Sequence, residues 1–241
     1  MKQKPKYSVV IPTFNEEKYL PLLLEDLHNQ TFKDFEVIVS DANSTDSTRS
    51  IAKKYGATVC DGGLPSVGRN NGAKLAKGDV LVFLDADVRI NRDFIECIDK
   101  EFSNKNLDVA VGLFDTNFEK LSEKIVYSIW NLSKIIRQKT KFPDGDGQFM
   151  VFKKSIFEYL EGFNENVSVA EDSEILKRVK SNNFKFGVIS VRYVPSNRRY
   201  KKIGHARVII GSTLAGIIGY TILKNNKKIQ KFLRNIYRLG Y

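Results

Sequence analysis

Short apolar runs alternate with amphipathic segments along the first third of the chain. The apolar runs are typical of strands buried in a sheet and cover residues 7–14, 35–42, 57–61 and 80–84. The segments between them have the apolar spacing and end residues of helices and cover residues 15–30, 44–56 and 66–78. This β-α-β-α-β-α-β order predicts a mostly parallel sheet with helices on both faces.

The pattern loosens after Asp93 but still indicates one α/β domain. Helices are predicted near residues 92–105, 119–139, 154–163 and 173–182. Strands are predicted at 108–114, at the end of the Gly/Pro/Asp-rich loop 141–152, and at 185–195. We therefore expect a catalytic or binding domain over residues 1–197, followed by a tail of different composition at 198–241.

Polar side chains follow the predicted parallel strands at the point where each strand ends. In order along the chain they are Thr13 and Asn15, Asp41 and Asn43, and Asp85 and Asp87. In open parallel sheets the ligand crevice lies beyond the carboxyl ends of the strands. These side chains are therefore expected to meet in one place.

Asp85 and Asp87 come directly after the buried run "VLVFL" and are two positions apart. Paired carboxylates at a strand end suit a hard divalent cation, which keeps open positions for water and phosphate. Such a cation would hold a diphosphate and stabilise the charge of a departing phosphate. The alternative is a solvated turn after the strand, and the neighbouring polar strand ends favour the metal site.

Three further acids are candidates for chemistry. Asp41 at a second strand end can accept hydrogen bonds from a nucleoside imide or ribose, whereas Ser44 and Asp46 after it are suited to capping the next helix. Glu171 and Asp172 precede the apolar helical face of residues 173–182. Either could be a general base for an acceptor hydroxyl, or simply a partner of the helix dipole.

The net charge of +11 is concentrated at the end of the chain. Of the 39 lysines and arginines, eleven lie from Arg198 onward, where there is no acidic residue. The remaining 28 balance the 28 acidic residues of the preceding part. This distribution argues against a nucleic-acid-coating surface and for a local interaction of the tail. Cys60 and Cys97 lack metal-ligand spacing and, with no visible signal peptide, favour a reducing compartment.

The basic tail has an uncharged run at residues 208–223 followed by an amphipathic segment at 227–241. As a helix the run would reach only ~24 Å, short of the ~30 Å hydrocarbon core of a bilayer. A basic amphipathic helix lies in the interface of an anionic membrane, so we expect peripheral attachment. Two helices packed on the domain are the alternative.

Together these segments resemble the family 2 inverting glycosyltransferases, which have the nucleotide-sugar-binding GT-A fold. The matching segments are "SVVIPTFNEEKYL", "NQTFKDFEVIVSDANSTDST", "GRNNGAKLAKGDVLVFLDADV" and "GFNENVSVAEDSEILKRV". They cover about residues 7–180. The resemblance implies a Rossmann-like, mixed and mostly parallel sheet flanked by helices, which the basic helical tail would follow.

The resemblance also implies a role for each matching residue. Residues that would line the base pocket or bind the nucleotide are Pro12, Thr13, Asn15, Glu16, Asp41 and Arg69. Asp85 and Asp87 would form the DxD site for Mg²⁺ or Mn²⁺ and the ribose, and Asp172 matches the catalytic base of the family's "ED" pair. His205 is a candidate further metal ligand, as late histidines are in some GT-A enzymes. Glu171, Arg198 and Arg199 are candidates to contact the acceptor or a phosphate.

Two departures from the family pattern affect the expected substrates. Where many relatives have "DDGSTD", this chain has Asp41, Ala42 and Asn43, so one acid near the base is missing. The Gln/Arg/Trp signature of processive synthases is absent from the sequence, which favours a single transfer. UDP is the expected donor nucleotide, with GDP next.

The implied reaction is one in-line displacement with inversion at the anomeric carbon. We expect a hydroxyl acceptor on a lipid-linked saccharide or glycolipid, at the cytoplasmic face of the cell membrane. A polyprenyl phosphate is the alternative acceptor and would need no base, because its oxygen is already anionic. A nucleotidyltransferase would need a basic Gly-rich first loop, but "PTFNEE" is acidic. An inactive membrane-bound scaffold predicts broken sites, yet Asp85, Asp87 and Asp172 are present.

Overall fold

A computed structural model describes residues 4–167 and 170–196 as eight strands and seven helices. The strands are β1 (Tyr7–Thr13), β2 (Phe35–Asp41), β3 (Thr58–Asp61), β4 (Val80–Leu84), β5 (Arg89–Ile90), β6 (Val109–Phe114), β7 (Phe149–Lys153) and β8 (Phe186–Val194). The helices are α1 (Leu20–His28), α2 (Thr48–Lys54), α3 (Pro65–Leu75), α4 (Phe94–Asn104), α5 (Leu121–Arg137), α6 (Lys154–Tyr159) and α7 (Glu171–Ser181). The predicted tail, with Arg198, Arg199 and His205, lies outside the described residues.

All eight strands form one sheet in the order β3-β2-β1-β4-β7-β6-β8-β5. Strands β1 to β4 run parallel to one another, and β6 runs parallel to β8. Strand β7 is antiparallel to both β4 and β6, and β5 is antiparallel to β8. The predicted mixed α/β sheet is confirmed. Because β2 and β4 lie on opposite sides of β1, the chain order reverses beside β1, where open α/β sheets form a crevice.

The sheet has a hydrophobic layer on each face, as its near-continuous apolar strands require. Val9, Ile11 and Val82 point into one layer, where they pack with residues of α1 and α4. Val10 and Phe83 point into the other, which includes residues of α3, α6 and α7. In the part of the chain that the structure describes, none of the helices has the length and apolar content needed to cross a membrane.

Helix α3 lies unusually close to β1 because it has glycine on the contacting face. A Cβ atom at Gly72 would lie only 2.4 Å from Cγ1 of Val10, so any larger residue would push the helix away. At Gly68, one turn earlier, a Cβ atom would lie 3.2 Å from Cβ of Pro12. This close packing holds Arg69 over the carboxyl ends of the central strands.

Several elements begin at residues other than those predicted. Helices α1 and α2 begin at Leu20 and Thr48, four or five residues later than the pattern indicates, because the preceding residues form hydrogen-bonded loops. Helix α7 begins earlier, at Glu171, so Glu171 and Asp172 belong to its first turn rather than preceding it. Strand β5 has only two residues, too few for a periodic signal, and pairs with β8.

Candidate active site

The polar residues that end β1, β2 and β4 lie at the same edge of the sheet. Thr13 and Asp41 are partners in the parallel register, and the Thr13 hydroxyl donates a 3.0 Å hydrogen bond to Oδ1 of Asp41. Both side chains are buried. Asp85 follows β4 directly, and Asp87 lies two residues further on in a turn, where both are half-buried. The predicted convergence of these strand ends is therefore found in the structure.

The carboxylate of Asp41 organises the loop that follows β2. Oδ2 accepts a 3.0 Å hydrogen bond from the Ser44 backbone N–H, and Oδ1 accepts one of 2.6 Å from the Ser44 hydroxyl. Arg49 on α2 approaches Oδ2 at 3.4 Å. Ser44 thus binds Asp41 instead of capping α2. The nucleoside-binding role of Asp41 stays a prediction.

The loops after β1 and β2 are joined into one wall of the crevice. Asn15 has a left-handed backbone (φ 53°), and its side-chain oxygen accepts a 2.9 Å hydrogen bond from Thr45 N–H. The backbone N–H of buried Glu16 donates to the Thr48 hydroxyl at 2.8 Å. With half-buried Pro12, these residues form a wall held in place before any ligand binds.

Arg69 connects two acids that are distant along the chain. Its Nη2 donates to Oδ1 of Asp85 at 2.8 Å, and its Nη1 donates to Oε1 of Glu171 at 2.9 Å. Nη2 also donates to the carbonyl oxygen of Gly147 at 2.9 Å, and the guanidinium lies 5.4 Å from the centre of the Phe163 ring. Only 2% of Arg69 is exposed, so its charge is compensated almost entirely by these groups.

Gly147 is the point at which the acids of the site come together. A Cβ atom there would lie 3.4 Å from Nη2 of Arg69, 3.7 Å from Oδ2 of Asp172 and 3.7 Å from Oε1 of Glu171. Its φ of +67° also favours glycine. A side chain at this position would therefore be strained and would crowd the space beside Asp172.

Asp172 is in an environment that opposes its ionisation. Its Oδ1 accepts a 2.7 Å hydrogen bond from Ser173 N–H. Burial, followed by the negative charges of Glu171 and Asp146, nevertheless raises the pKa of Asp172 to about 8. A carboxylate with a pKa near the working pH is suited to accept a proton in a reaction.

Asp146, which precedes Gly147, forms an ion pair with a buried lysine on α5. Nζ of Lys134 on α5 forms an ion pair with Oδ2 of Asp146 and donates to the Gly112 carbonyl oxygen at 3.0 Å. Oδ1 of Asp146 accepts a 3.0 Å hydrogen bond from Gln148 N–H, which fixes the loop on either side of Gly147. Lys134 is 3% exposed, so this contact is largely out of water.

The residues at this edge fit a divalent cation that is shared with a ligand. Four acids of the described site, Asp85, Asp146, Glu171 and Asp172, face two buried cations, Arg69 and Lys134. In residues 4–167 and 170–196, no three His, Cys, Asp or Glu side chains are grouped to hold a metal by themselves. Mg²⁺ is commonly held by one or two carboxylates together with substrate phosphates, and the pair Asp85 and Asp87 suits this arrangement.

Sequence reasoning identified the strand-end acids and Asp172 but missed the loop around Gly147. Asp146, Gly147 and Lys134 were not among the predicted site residues. The run "PDGDGQ" at 143–148 was a usable signal, since alternating Asp and Gly before a strand is typical of a tight polar loop. No such signal marked Lys134, because a lysine within a helix is normally solvated.

The fold and site define an α/β protein with a cluster of acids at the switch point of its sheet. Residues 8–160 match the family profile "Glycosyl transferase family 2", and the chain belongs to that family. A curated relative from Campylobacter jejuni, GalNAc(5)-diNAcBac-PP-undecaprenol beta-1,3-glucosyltransferase, is 39% identical over 92 residues. That alignment covers 34% of this chain and 30% of the relative. The chain therefore matches less than a third of that enzyme's length.

Solved structures share the fold. The mannosyltransferase PcManGT from Pyrobaculum calidifontis, in complex with GDP-Man and Mn²⁺, has a TM-score of 0.73 at 21% identity. The match covers 94% of this chain and 66% of that one. Staphylococcus aureus TarS 1-349 in complex with UDP-GlcNAc has a TM-score of 0.63 at 24% identity, covering 79% of this chain and 58% of the other. The predicted GT-A fold is confirmed.

The raised pKa of Asp172 predicts a pH-dependent cost to stability. Between the ordinary carboxyl pKa of about 4 and the raised value, the folded protein keeps a proton that the unfolded chain releases. Stability should therefore fall as pH rises through this window, by at most about 1.4 kcal/mol per pH unit. Asp172→Asn removes this contribution, so its melting temperature should exceed that of the wild type by a margin that grows toward pH 8.

Thermal unfolding at several pH values measures this margin. Asp79→Asn is the matched control, because it makes the same change at an exposed residue at the opposite end of β4, away from the acids of the site. An Asp172→Asn variant that is less stable than the wild type throughout this range would contradict the assigned electrostatics.

Proposed function

We propose that this chain is an inverting glycosyltransferase. It moves a sugar from a nucleoside-diphosphate sugar to a hydroxyl group of a lipid-linked saccharide or glycolipid. The observation that supports this most is the placement of Asp172, a carboxylate of raised pKa, beside Gly147, whose carbonyl oxygen accepts a hydrogen bond from the guanidinium that also binds Asp85. One site would then provide both a proton acceptor and a strand end that binds the diphosphate.

The donor occupies the crevice beyond β1, β2 and β4. Pro12, Thr13, Asn15 and Glu16 form the base pocket, and Asp41 accepts hydrogen bonds from the base or ribose. The joined loops support this assignment because they provide a preformed wall. UDP is the favoured nucleotide and GDP the second, since the two structural neighbours hold UDP-GlcNAc and GDP-Man respectively.

Asp172 acts as the general base that activates the acceptor hydroxyl. It removes the proton of the acceptor hydroxyl as that oxygen attacks the anomeric carbon, and the bond to the diphosphate breaks on the opposite face, so the configuration inverts. Asp85 and Asp87 would hold Mg²⁺ or Mn²⁺, which supplies positive charge to the diphosphate when bound. Arg69 keeps Asp85 and Glu171 in position around the reacting groups.

Two observations support a lipid-linked hydroxyl acceptor: the presence of a candidate base and the name of a relative. A hydroxyl nucleophile needs a proton acceptor, and Asp172 is suited to that role. The name of the Campylobacter jejuni relative includes a diphospho-undecaprenol saccharide. We propose a peripheral position at an anionic membrane surface, through the basic tail 198–241, with His205, Arg198 and Arg199 as further phosphate or metal contacts.

Loss of the base should stop transfer without stopping donor binding. Asp172→Asn is expected to lower the rate of sugar transfer by about 10²–10⁴-fold, the usual contribution of a general base. Nucleotide affinity should change little. Transfer from labelled UDP-sugars to a lipid-linked saccharide measures this effect, with Asp79→Asn as the control of equal charge change. Near-normal transfer by Asp172→Asn would remove the base assignment and favour a phosphate acceptor.

Donor identity can be determined from ligand-induced stabilisation. A nucleotide present at 100 times its dissociation constant raises the free energy of unfolding by about 2.7 kcal/mol, or roughly 5–10 °C for a chain of this size. UDP with Mn²⁺ should give the largest shift among nucleoside diphosphates. Asp87→Asn should remove the Mn²⁺-dependent part of that shift. Equal shifts with and without Mn²⁺ would contradict the metal site.

A further inference from the structure

Helix α5 buries polar side chains against the domain and exposes large aliphatic side chains, which is the opposite of a normal amphipathic surface helix. It buries Tyr127, Asn131 and Lys134 against the domain. Six large aliphatic side chains point outward instead and are between 43% and 70% exposed: Leu121, Ile125, Ile129, Leu132, Ile135 and Ile136. We refer to these six residues as the α5 ridge.

The ridge is continuous. Leu121, Ile125, Ile129, Leu132 and Ile136 follow one another at intervals of three or four residues, so they lie on one side of the helix. The stripe is ~24 Å long at 1.5 Å per residue. An apolar surface of this size on one helix differs from isolated exposed hydrophobic residues, and it marks an interaction surface.

Polar contacts on the inward face prevent the helix from rotating to bury the ridge. The Asn131 side chain accepts a hydrogen bond from Phe114 N–H at 2.8 Å and donates one to the Phe114 carbonyl oxygen at 2.9 Å. Lys134 is fixed by Asp146 and by the Gly112 carbonyl oxygen. Turning the helix would leave these buried polar groups without partners, and each such group carries a desolvation cost.

The surroundings of the ridge carry a net positive charge. Lys120 and Lys124 are exposed near its first residue, and Lys139 and Lys141 are exposed beyond its last, next to the exposed ring of Phe142. Two acids, Glu119 and Glu123, lie near the first end only. Apolar side chains bordered by lysines match the boundary between the acyl chains and the anionic headgroups of a bilayer.

We propose that the α5 ridge inserts into the interface of an anionic membrane. The chain leaves the described domain beside α5, because Tyr193 near the end of β8 pairs with Phe114, whose ring packs on Trp130. The same electrostatics disfavour the tail as a cover for the ridge, since its eleven basic residues and no acids would approach a border of net positive charge.

This docking places the proposed active site next to the lipid surface. Lys134 is on the inner face of the docking helix and holds Asp146, which fixes the loop beside Asp172. Only helix α5 would then separate the lipid surface from the loop beside Asp172, so a lipid-linked acceptor would have a short distance to reach the base. This consequence for the acceptor rests on the proposed function, whereas membrane insertion itself does not and is tested separately.

Vesicle binding by the full chain tests the insertion. The triple variant Ile129→Gln, Leu132→Gln, Ile136→Gln should bind phosphatidylglycerol–phosphatidylcholine vesicles at least about tenfold more weakly than the wild type. The matched control is Leu22→Gln, Leu75→Gln, Tyr159→Gln, which changes three exposed apolar residues elsewhere and should bind like the wild type. Both variants should keep wild-type UDP-induced stabilisation and urea unfolding, so a failure of donor binding is recognised independently. Equal vesicle binding by both triple variants would overturn the proposal.

A tryptophan reporter distinguishes the possible occupants. Trp130 is the only tryptophan, so Trp130→Phe provides a silent background for Ile129→Trp, with Tyr159→Trp as the control position. Brominated lipids should quench emission from position 129 and leave position 159 unchanged. Bound protein whose position 129 is not quenched would overturn the proposal. A tryptophan at position 129 that is already shielded from water without vesicles would also overturn the proposal. Shielding that does not depend on protein concentration would indicate that the tail covers the ridge, and shielding that increases with protein concentration would indicate a second copy.

Discussion

The guanidinium of Arg69 is a permanent positive charge held almost completely out of water, and such a charge is tolerated only with close partners. Its partners come from three places: Asp85 after β4, Glu171 at the start of α7, and the carbonyl of Gly147 before β7. Satisfying one side chain therefore fixes the relative positions of three segments distant along the chain. Glycine on the inner face of α3 is part of the same constraint, because it lets the helix approach β1 closely enough for Arg69 to reach the strand ends.

The acids at this edge outnumber the cations, and this charge balance bears directly on the proposed binding and reaction. Asp172 resists ionisation because it is buried near Glu171 and Asp146, and this resistance gives it affinity for a proton. Asp85 and Asp87 lie where parallel strands open a crevice in such sheets, so a divalent cation bound there would add positive charge and compensate that of a donor diphosphate. The electrostatic conditions that reduce the stability of the unliganded domain are thus those expected to favour ligand binding and proton transfer.

Much of the fold followed from local patterns, since short apolar runs and the polar residues that end them are properties of neighbouring positions. The position of Asp172 in the site was implied only by the resemblance to the family. The parallel strands and the convergence of the strand ends that carry Asp41 and Asp85 were predictable from these local patterns. The Gly147 loop and the ion pair of Lys134 with Asp146 were not, because such contacts depend on packing between distant segments. Periodicity also predicted a helix near α5, but it could not tell which face the domain would cover. The tail residues keep the status of predictions, as does the role of each candidate in nucleotide binding.

The central claim is that Arg69 holds the acids of the site together by charge. A double-mutant cycle measures this most directly, from the free energies of unfolding in urea of Arg69→Met, Glu171→Gln and the double variant. We predict that Arg69→Met alone costs about 3 kcal/mol or more, since it leaves Asp85 and Glu171 uncompensated. Adding Glu171→Gln should then recover at least ~1 kcal/mol relative to the sum of the single changes. Strictly additive free energies would contradict the account.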